Sequence, residues 1–525
     1  MNPAVPHELA MSGKSEPRAA IDVMRALLSH DAERPAVISA GRTMTRCQLA
    51  ARAAEAAAGL QALGFRRGDA LALWLPNGVE WLILFFAAAR LGVLVVPVST
   101  RYRTFEASHL LRTSGAKGIA IAPGFLDIDF SAMLASLRAE LPALEHVIEV
   151  AREGGFRNLP RGESEPHGGG EGSDPLCAFS TSGTTGNPKL ALHDQASILK
   201  HAALIARAFE ITPQDAVLCA LPLYGVFGFC QAMGALAGGA ASVLEPAFTA
   251  EAAAGAIEAH KVTHFIGSDA MLESVLRVPG RDLRSWRCGG FADFNGRARQ
   301  LVDEAEAALG LRLVGLYGSS ECFALMAKQC PEAAARERAL GGGIPIDRGI
   351  AFRIADVASG AALPEGEPGE LQLKGYNVMS GYLRNPEATA AAFTGDGWFR
   401  TGDLAYAAGS GFVYLARIKD SLRLRGYLVD PTEIEEYLQR HAAVEVAQVV
   451  GVDRPGEGEV AVAFVRLGRE AVTEPELIAY CRDGIAGYKV PRRIVIVAEF
   501  PVVHGPNGSK IQKVLLRERA AALLR

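Results

Sequence analysis

A dominant charge is missing from this chain: a net charge of −4 over 525 residues, with no long basic stripe, gives no pull toward nucleic acid or anionic lipid. Paired cysteines are missing too. Cys47, Cys177, Cys219, Cys230, Cys288, Cys322, Cys330 and Cys481 form no C-x-x-C pair and no His/Cys spacing that would hold a metal. That argues against structural zinc, and the expectation is reduced, buried thiols in a cytoplasm. Met1 to Pro17 carries early Pro, His and Glu but no apolar core, so it reads as a loose arm rather than a secretory signal. No internal repeat or heptad run is present. The segment from Ala216 to Leu244 lacks charge altogether, yet Pro222, Gln231 and Gly225, Gly228, Gly234, Gly238 and Gly239 suit a strand, a turn and a close-packed helix. Helix breakers in lipid need special compensation, so no membrane span is expected.

Hydrophobic residues make up 49% of the chain, enough for a large core, and the length exceeds what one core holds, so at least two folding units are expected. An Ala-rich helix from Cys47 to Leu63, a strand from Ala70 to Leu75, a helix around Trp81 to Leu91 and a strand from Val93 to Val98 alternate as parallel βαβ units do. The Gly/Pro/Glu-rich piece from Glu153 to Ser173 reads as a surface loop between subdomains. A second alternating block runs from Pro175 to about Leu325, with strands at Ala216 to Leu221, Thr263 to Ile266 and Leu313 to Leu316. They end in Tyr224-Gly225, Ser268-Asp269 and Tyr317-Gly318-Ser319-Ser320-Glu321, and ligands of α/β sheets collect at such carboxyl ends. After Gly341 dense turns and short strands suggest a β-rich subdomain ending near Tyr414. Beyond Lys419 the chain starts again: Asp430 at an N-cap, Pro431 at the first helical position and Glu433 at the third precede apolar Ile434 and Leu438. Strands from Val444 to Val452 and Val460 to Leu467 and a helix near Glu476 to Gly484 complete a small α+β domain.

The run Thr181-Ser182-Gly183-Thr184-Thr185-Gly186-Asn187-Pro188-Lys189 joins hydroxyl donors, glycines that admit close backbone approach, and one cation. It reads as a phosphate loop delivered by the apolar strand from Leu176 to Phe179. Its spacing is not the Walker G-x-x-x-x-G-K-[ST], because Pro188 separates the glycines from Lys189 and Leu190 follows. The ordinary NTPase reading fails; a Ser/Thr/Gly surface turn is the bland alternative.

This run, together with Leu221-Pro222-Leu223-Tyr224, Tyr317 to Glu321, Gly369-Glu370-Leu371 with Gly381-Tyr382, Thr401-Gly402-Asp403-Leu404, Arg417 to Gly426 and Gly508-Ser509-Lys510-Ile511, resembles the adenylate-forming superfamily. That superfamily includes acyl-CoA synthetases, aryl-CoA ligases, peptide-synthetase adenylation domains and firefly luciferase. The resemblance covers most of the chain from about Thr45 onward. It implies an α/β multidomain fold: a large N-terminal domain of two α/β subdomains plus a β-rich one, spanning 18–418, and a small mobile α+β domain over 419–525. It also implies a ligase that makes an acyl-adenylate and pyrophosphate from ATP, with Mg2+, and passes the acyl group to coenzyme A.

By the same resemblance, Thr181, Ser182, Gly183, Thr184, Thr185, Gly186 and Lys189 would hold the β- and γ-phosphates, and Glu321 would coordinate magnesium. Ser320 would face the α-phosphate, with Gly318, Ser319 and Gly290 also in the nucleotide site and Tyr317 near adenine. Asp403 would accept from the ribose hydroxyls, supported by Arg417. Lys510 would bridge carboxylate and α-phosphate, Lys419 would be the hinge, and Arg425, Gly426 and Tyr427 would line the pantetheine tunnel. The bland readings are a helix-capping Glu321, a common Thr-Gly-Asp turn and solvated lysines.

The departures bear on the acid. Leu190 replaces a usual glycine, Ala416 another, Arg423 a lysine, and Gly225 stands where many members carry histidine, which widens the acyl pocket or its gate. Tyr224, Gly225, Val226, Phe227, Phe229, Phe265, Asp269 and Ala270 flank that pocket. Asp269, where proline is usual, is open between a buried hydrogen-bonded acid, a loop cap and a substrate contact. An amino acid substrate is disfavoured, and an aromatic, alicyclic or medium-chain acid is expected. Loading of a carrier protein's phosphopantetheine is the alternative, and a phosphotransferase or a silent nucleotide binder are the readings from other classes. A homodimer is left open.

Overall fold

The computed structural model describes residues 23–28, 30–39, 41–151, 154–162, 170–181, 188–294, 296–418, 422–424, 427–429, 431–454, 458–485, 487–505 and 508–524. Among them the strands form a 13-stranded, an eight-stranded, a five-stranded and a two-stranded sheet. The eight-stranded sheet runs Gly381–Tyr382, Leu190–Asp194, Pro175–Ser180, Leu94–Pro97, Ala70–Trp74, Gly118–Ile121, His146–Val150, Phe156–Arg157. In the 13-stranded sheet Val314–Ser319, Cys288–Ala292, His264–Ser268, Ala216–Cys219, Ala241–Leu244 and Pro35–Ser39 are successive parallel neighbours. Their carboxyl ends therefore lie on one edge, where the sequence places its loops.

Helix Val79–Leu91 buries almost every side chain, which explains why it is apolar all round rather than striped. It ends at Gly92, whose φ of +67° makes the left-handed cap that glycine adopts without strain. Trp81, Phe85, Phe179 and Phe229 cluster between the two large sheets, with ring centroids 5.1 to 6.1 Å apart along the chain of contacts. The uncharged segment resolves into strand Ala216–Cys219, helix Val226–Ala237 and strand Ala241–Leu244, and no helix among the described residues is long and apolar enough to cross a membrane.

Sheet membership departs from chain order. Pro35–Ser39 and Arg42–Thr45, at the start of the first alternating block, join the 13-stranded sheet through Ala241–Leu244, whereas Pro175–Ser180 and Leu190–Asp194, expected to open the second block, complete the eight-stranded one. The short strands after Gly341 do not stand apart: through Gly342–Pro345 and Phe323–Lys328 they continue the 13-stranded sheet, now antiparallel. Gly381–Tyr382 leaves them to pair with Leu190–Asp194. Within the expected surface loop, Phe156–Arg157 pairs with His146–Val150. All eight cysteines are free, but Cys47 and Cys330 are exposed, so burial of the thiols is not general.

The five-stranded sheet has its own core. Ile434 and Leu438 of helix Pro431–Gln439 and Leu477 of helix Glu474–Gly484 are fully buried on one face, and Leu516 and Ala520 of helix Lys513–Leu523 cover the other. The hairpin Val502–Gly505 with Gly508–Ile511 sets Lys510 opposite Val503. Arg297 reaches this unit from the large one: its guanidinium lies 2.7 Å from Glu273 and 3.0 Å from Glu445.

Candidate active site

Strand Val314–Ser319 delivers Tyr317 to Glu321 into a tight turn back along Phe323–Lys328. A Cβ on Gly318 would lie 2.4 Å from the Phe323 carbonyl oxygen, so only glycine fits between the two backbones. Tyr317 is 7% exposed and packs edge-on against Phe412, and its hydroxyl donates to Asp403 Oδ2 at 2.5 Å. Asp403 and Arg417 are cross-strand partners in the pair Phe399–Ala408 and Gly411–Arg417, with Arg417 Nε 3.0 Å from Asp403 Oδ1. Arg417 also donates to the Thr401 carbonyl at 3.1 Å. Burial first, then the Asp403 charge, push the Tyr317 phenol well above its ordinary pKa, and Asp403 raises that of Arg417. Tyr317 therefore stays a donor and Arg417 a cation.

Beside this cluster, Glu321 accepts from the Tyr382 hydroxyl at 3.0 Å, and the Glu321 carbonyl accepts from Met379 N at 2.7 Å. Lys189 Nζ lies 4.3 Å from the Tyr382 ring centroid. The two ends of the Thr181 to Lys189 run meet: Thr181 N donates to the Lys189 carbonyl at 2.8 Å, and Lys189 N to Thr181 Oγ1 at 3.3 Å. His109 donates from Nε2 to the Pro188 carbonyl at 3.0 Å. Lys189 and Glu321 thus meet at Tyr382, and Asp403 joins Tyr317 to Arg417; the turn from Tyr317 to Glu321 carries one residue of each group, although together they span more than two hundred residues.

Other sequence-derived positions fall differently. Ser320 is 8% exposed, and its hydroxyl donates to the Ser180 carbonyl at 3.1 Å. Ser319 Oγ accepts from Glu321 N at 3.2 Å and so shapes the turn. Gly290 lies mid-strand between Ile266 and Val314, and Leu316 fills the space a Cβ would need, at 2.9 Å. Phe229, expected at the acyl pocket, is 1% exposed and packs on Phe85 and Phe179 in the aromatic cluster between the sheets. Phe265 likewise packs on Trp286 at 5.3 Å. Tyr224 is 5% exposed and Gly225 is the N-cap of helix Val226–Ala237.

Asp269 is fully buried at the start of helix Asp269–Leu276 and accepts from Phe294 N at 3.3 Å, which corresponds to the buried, hydrogen-bonded acid among its alternatives. Its neighbour is Asp293, whose Oδ1 accepts from Gly296 N at 2.8 Å and Arg297 N at 3.2 Å. Although Asp293 as a whole is exposed, desolvation of its carboxyl first, then the Asp269 charge, push that group above the usual range. Ser182, Gly183, Thr184, Thr185, Gly186, Lys419, Arg425 and Gly426 lie outside the described residues; Tyr427 begins strand Tyr427–Val429, and Lys510 lies in Gly508–Ile511.

Sequence reasoning missed His193 and His201. A carbonyl can only accept, so each ring must donate from Nε2: His193 to Ser320 O and His201 to Ala324 O, both at 2.7 Å. Their rings stack on Phe323 at 3.9 and 4.7 Å, and burial pulls both pKa values down to about 4. They brace the turn that carries Glu321. Asn77 was missed as well; it donates to the Cys219 and Leu221 carbonyls at 3.2 and 2.9 Å and accepts from Leu223 N at 2.7 Å, fixing the loop before Tyr224. The spacing of these residues carries no signal, because each acts on a segment more than a hundred residues away.

The AMP-binding enzyme family profile matches residues 25–383, and that of the AMP-binding enzyme C-terminal domain matches 433–504. The medium-chain acyl-CoA ligase ACSF2, mitochondrial, of Rattus norvegicus is 31% identical over 88% of this chain and 81% of its own length. The 3-[(3aS,4S,7aS)-7a-methyl-1,5-dioxo-octahydro-1H-inden-4-yl]propanoyl:CoA ligase of Mycobacterium tuberculosis is 34% identical over 95% of this chain and 98% of its own. The crystal structure of ATP-bound MatB from Rhodopseudomonas palustris superposes with a TM-score of 0.87 at 25% identity, covering 96% and 99% of the two chains. The chain belongs to the AMP-binding enzymes and is an adenylate-forming enzyme of the acyl-CoA synthetase type.

Proposed function

We propose that this enzyme joins a carboxylic acid to the α-phosphate of ATP, releasing pyrophosphate, and then passes the acyl group from AMP to the thiol of coenzyme A. The observation that carries this reading is that one turn, Tyr317 to Glu321, serves two groups: Asp403 and Arg417 at Tyr317, and Lys189 with Glu321 at Tyr382. Two anions must meet in the first step, and their repulsion in a partly dry cleft is about 4 kcal/mol at 4 Å separation. Cations placed beforehand offset it.

Asp403 accepts hydrogen bonds from the ribose diol, with Arg417 fixing its orientation from the next strand. Lys189 and the loop from Thr181 hold the outer phosphates. Glu321 suits Mg2+, since a hard carboxylate oxygen is the ligand that ion takes, and the bound ion neutralises phosphate charge. Lys510 bridges the acid and the α-phosphate during adenylation, and losing such a contact costs about 3 to 4 kcal/mol of transition-state stabilisation. The 419–525 domain turns about Lys419 between the two half-reactions, and Arg425, Gly426 and Tyr427 guide the pantetheine arm. The cytoplasm is the expected compartment.

The acid is aromatic, alicyclic or medium-chain. Buried Tyr224, Val226 and Phe227 beside Gly225 support an apolar ligand recognised by area. A panel of such acids is incubated with ATP and Mg2+, and pyrophosphate and AMP are measured with and without CoA. Both products rising on CoA addition for a subset of acids is the expected result. Adenylate without CoA-dependent turnover points to carrier-protein loading instead, and ADP in place of AMP overturns the reading.

A further inference from the structure

Tyr382 has no part in the chemistry above, yet it touches both Glu321 and Lys189. Its hydroxyl donates to Glu321 Oε1 at 3.0 Å, and the Lys189 ammonium sits 4.3 Å from its ring centroid. Its backbone is held in place: strand Gly381–Tyr382 pairs with Ala191 and Leu192, directly after Lys189, and Tyr382 N donates to Thr389 Oγ1 at 2.9 Å. Two residues before the strand, Met379 N donates to the Glu321 carbonyl at 2.7 Å. Segment 379–382 therefore grips Glu321 by both main chain and side chain while lying against the strand that leaves the phosphate loop.

We propose that Tyr382 is a positioning residue: its hydroxyl orients the Glu321 carboxylate for a divalent cation, and its ring keeps the Lys189 ammonium from pairing with that carboxylate before phosphate arrives. This rests on the assignment of Glu321 and Lys189 to the metal and the phosphates. Among the described residues no ion pair joins Glu321 to Lys189, although both contact Tyr382 and an opposite charge is the natural partner of each. A ring face offers the ammonium an attraction that phosphate oxygens outcompete. One donor on Oε1 fixes the carboxylate rotamer and leaves Oε2 to coordinate.

The test uses the full chain, with Tyr382→Phe removing the hydroxyl but keeping the ring, and Tyr382→Leu removing both. Mn2+ binding is followed by electron paramagnetic resonance with α,β-methylene-ATP present, and pyrophosphate release is followed against Mg2+ concentration. Tyr382→Phe is expected to weaken metal binding about tenfold, the scale of a hydrogen bond to a charged group. Its kcat at saturating Mg2+ stays within about twofold, and metal-free binding of the analogue is unchanged. Tyr382→Leu is expected to weaken metal-free analogue binding as well. Unaltered Mn2+ affinity in Tyr382→Phe, or a loss of kcat that excess Mg2+ does not restore, overturns the proposal while leaving the assignment of Glu321 and Lys189 standing. A wild-type enzyme indifferent to divalent metal overturns both.

Discussion

Replacing Tyr317 by Phe removes a single oxygen from the most buried polar contact of the candidate site. Tyr317 is 7% exposed and Asp403 is 3% exposed, so water cannot take the place of the lost hydroxyl. Asp403 keeps Arg417 at 3.0 Å but loses its donor at 2.5 Å. A hydrogen bond to a buried charged group is worth about 1.5 to 3 kcal/mol, and the isosteric ring leaves no cavity, so about 2 kcal/mol is expected for Tyr317→Phe. Differential scanning calorimetry checks this as a fall in the unfolding midpoint of a few degrees. A second readout is the ratio of kcat/KM for ATP to that for 2′-deoxy-ATP. With Asp403 less constrained, preference for the ribose hydroxyl drops by about threefold to tenfold, whereas the KM for the acid is untouched. An unchanged midpoint together with unchanged sugar discrimination would refute both the worth of this contact and the role of Asp403 at the ribose.

Three other outcomes follow from the geometry. His193→Gln keeps a donor for the Ser320 carbonyl but does not titrate; because the folded pKa of His193 is depressed from 6.5 to about 4, wild-type stability is present above 6.5 and falls as pH drops toward 4. That loss runs at about 1.4 kcal/mol per pH unit for each such ring, so the variant's acid slope in urea titrations should be shallower, and an identical slope counts against it. Asp269→Asn relieves the carboxyl pair: the Asp293 pKa is raised above its ordinary value, so its contribution is present at low pH and lost as pH rises, and the variant's midpoint should gain on wild type as pH rises. A pH-independent difference argues against the pair. Gly318→Ala sets a Cβ 2.4 Å from the Phe323 carbonyl and 2.5 Å from Ala324 Cα, both backbone, so pyrophosphate release should fall at least about a hundredfold through displacement of Glu321; near-normal rates would show that the turn can give.

Much of the molecule was legible in the sequence because its signals are local. Period and caps placed helices Arg46–Ala62, Val79–Leu91 and Pro431–Gln439 within a few residues, since helix formation depends on neighbours three or four positions apart. The motifs around Lys189, Glu321, Asp403 and Arg417 were readable because they keep an order along the chain, and the tertiary structure sets Lys189 and Glu321 against Tyr382 and pairs Asp403 with Arg417. The surroundings of Phe229 were not legible, because an aromatic three residues inside a helix can face several ways and only the packing of Trp81, Phe85 and Phe179 decides. Those of Gly290 were hidden for a related reason: Leu316, a neighbour across the sheet, packs against it.

By itself the sequence determined most element types, the fold class and the family, all of which follow from residue identity and short-range spacing. Only the tertiary structure decided that strand Pro35–Ser39 pairs with Ala241–Leu244, that Tyr382 comes to rest between Glu321 and Lys189, and that His193 braces Ser320. These are pairings between segments far apart in the chain, selected by burial and by the need of every buried polar group for a partner, and neither requirement leaves a periodic trace along the sequence.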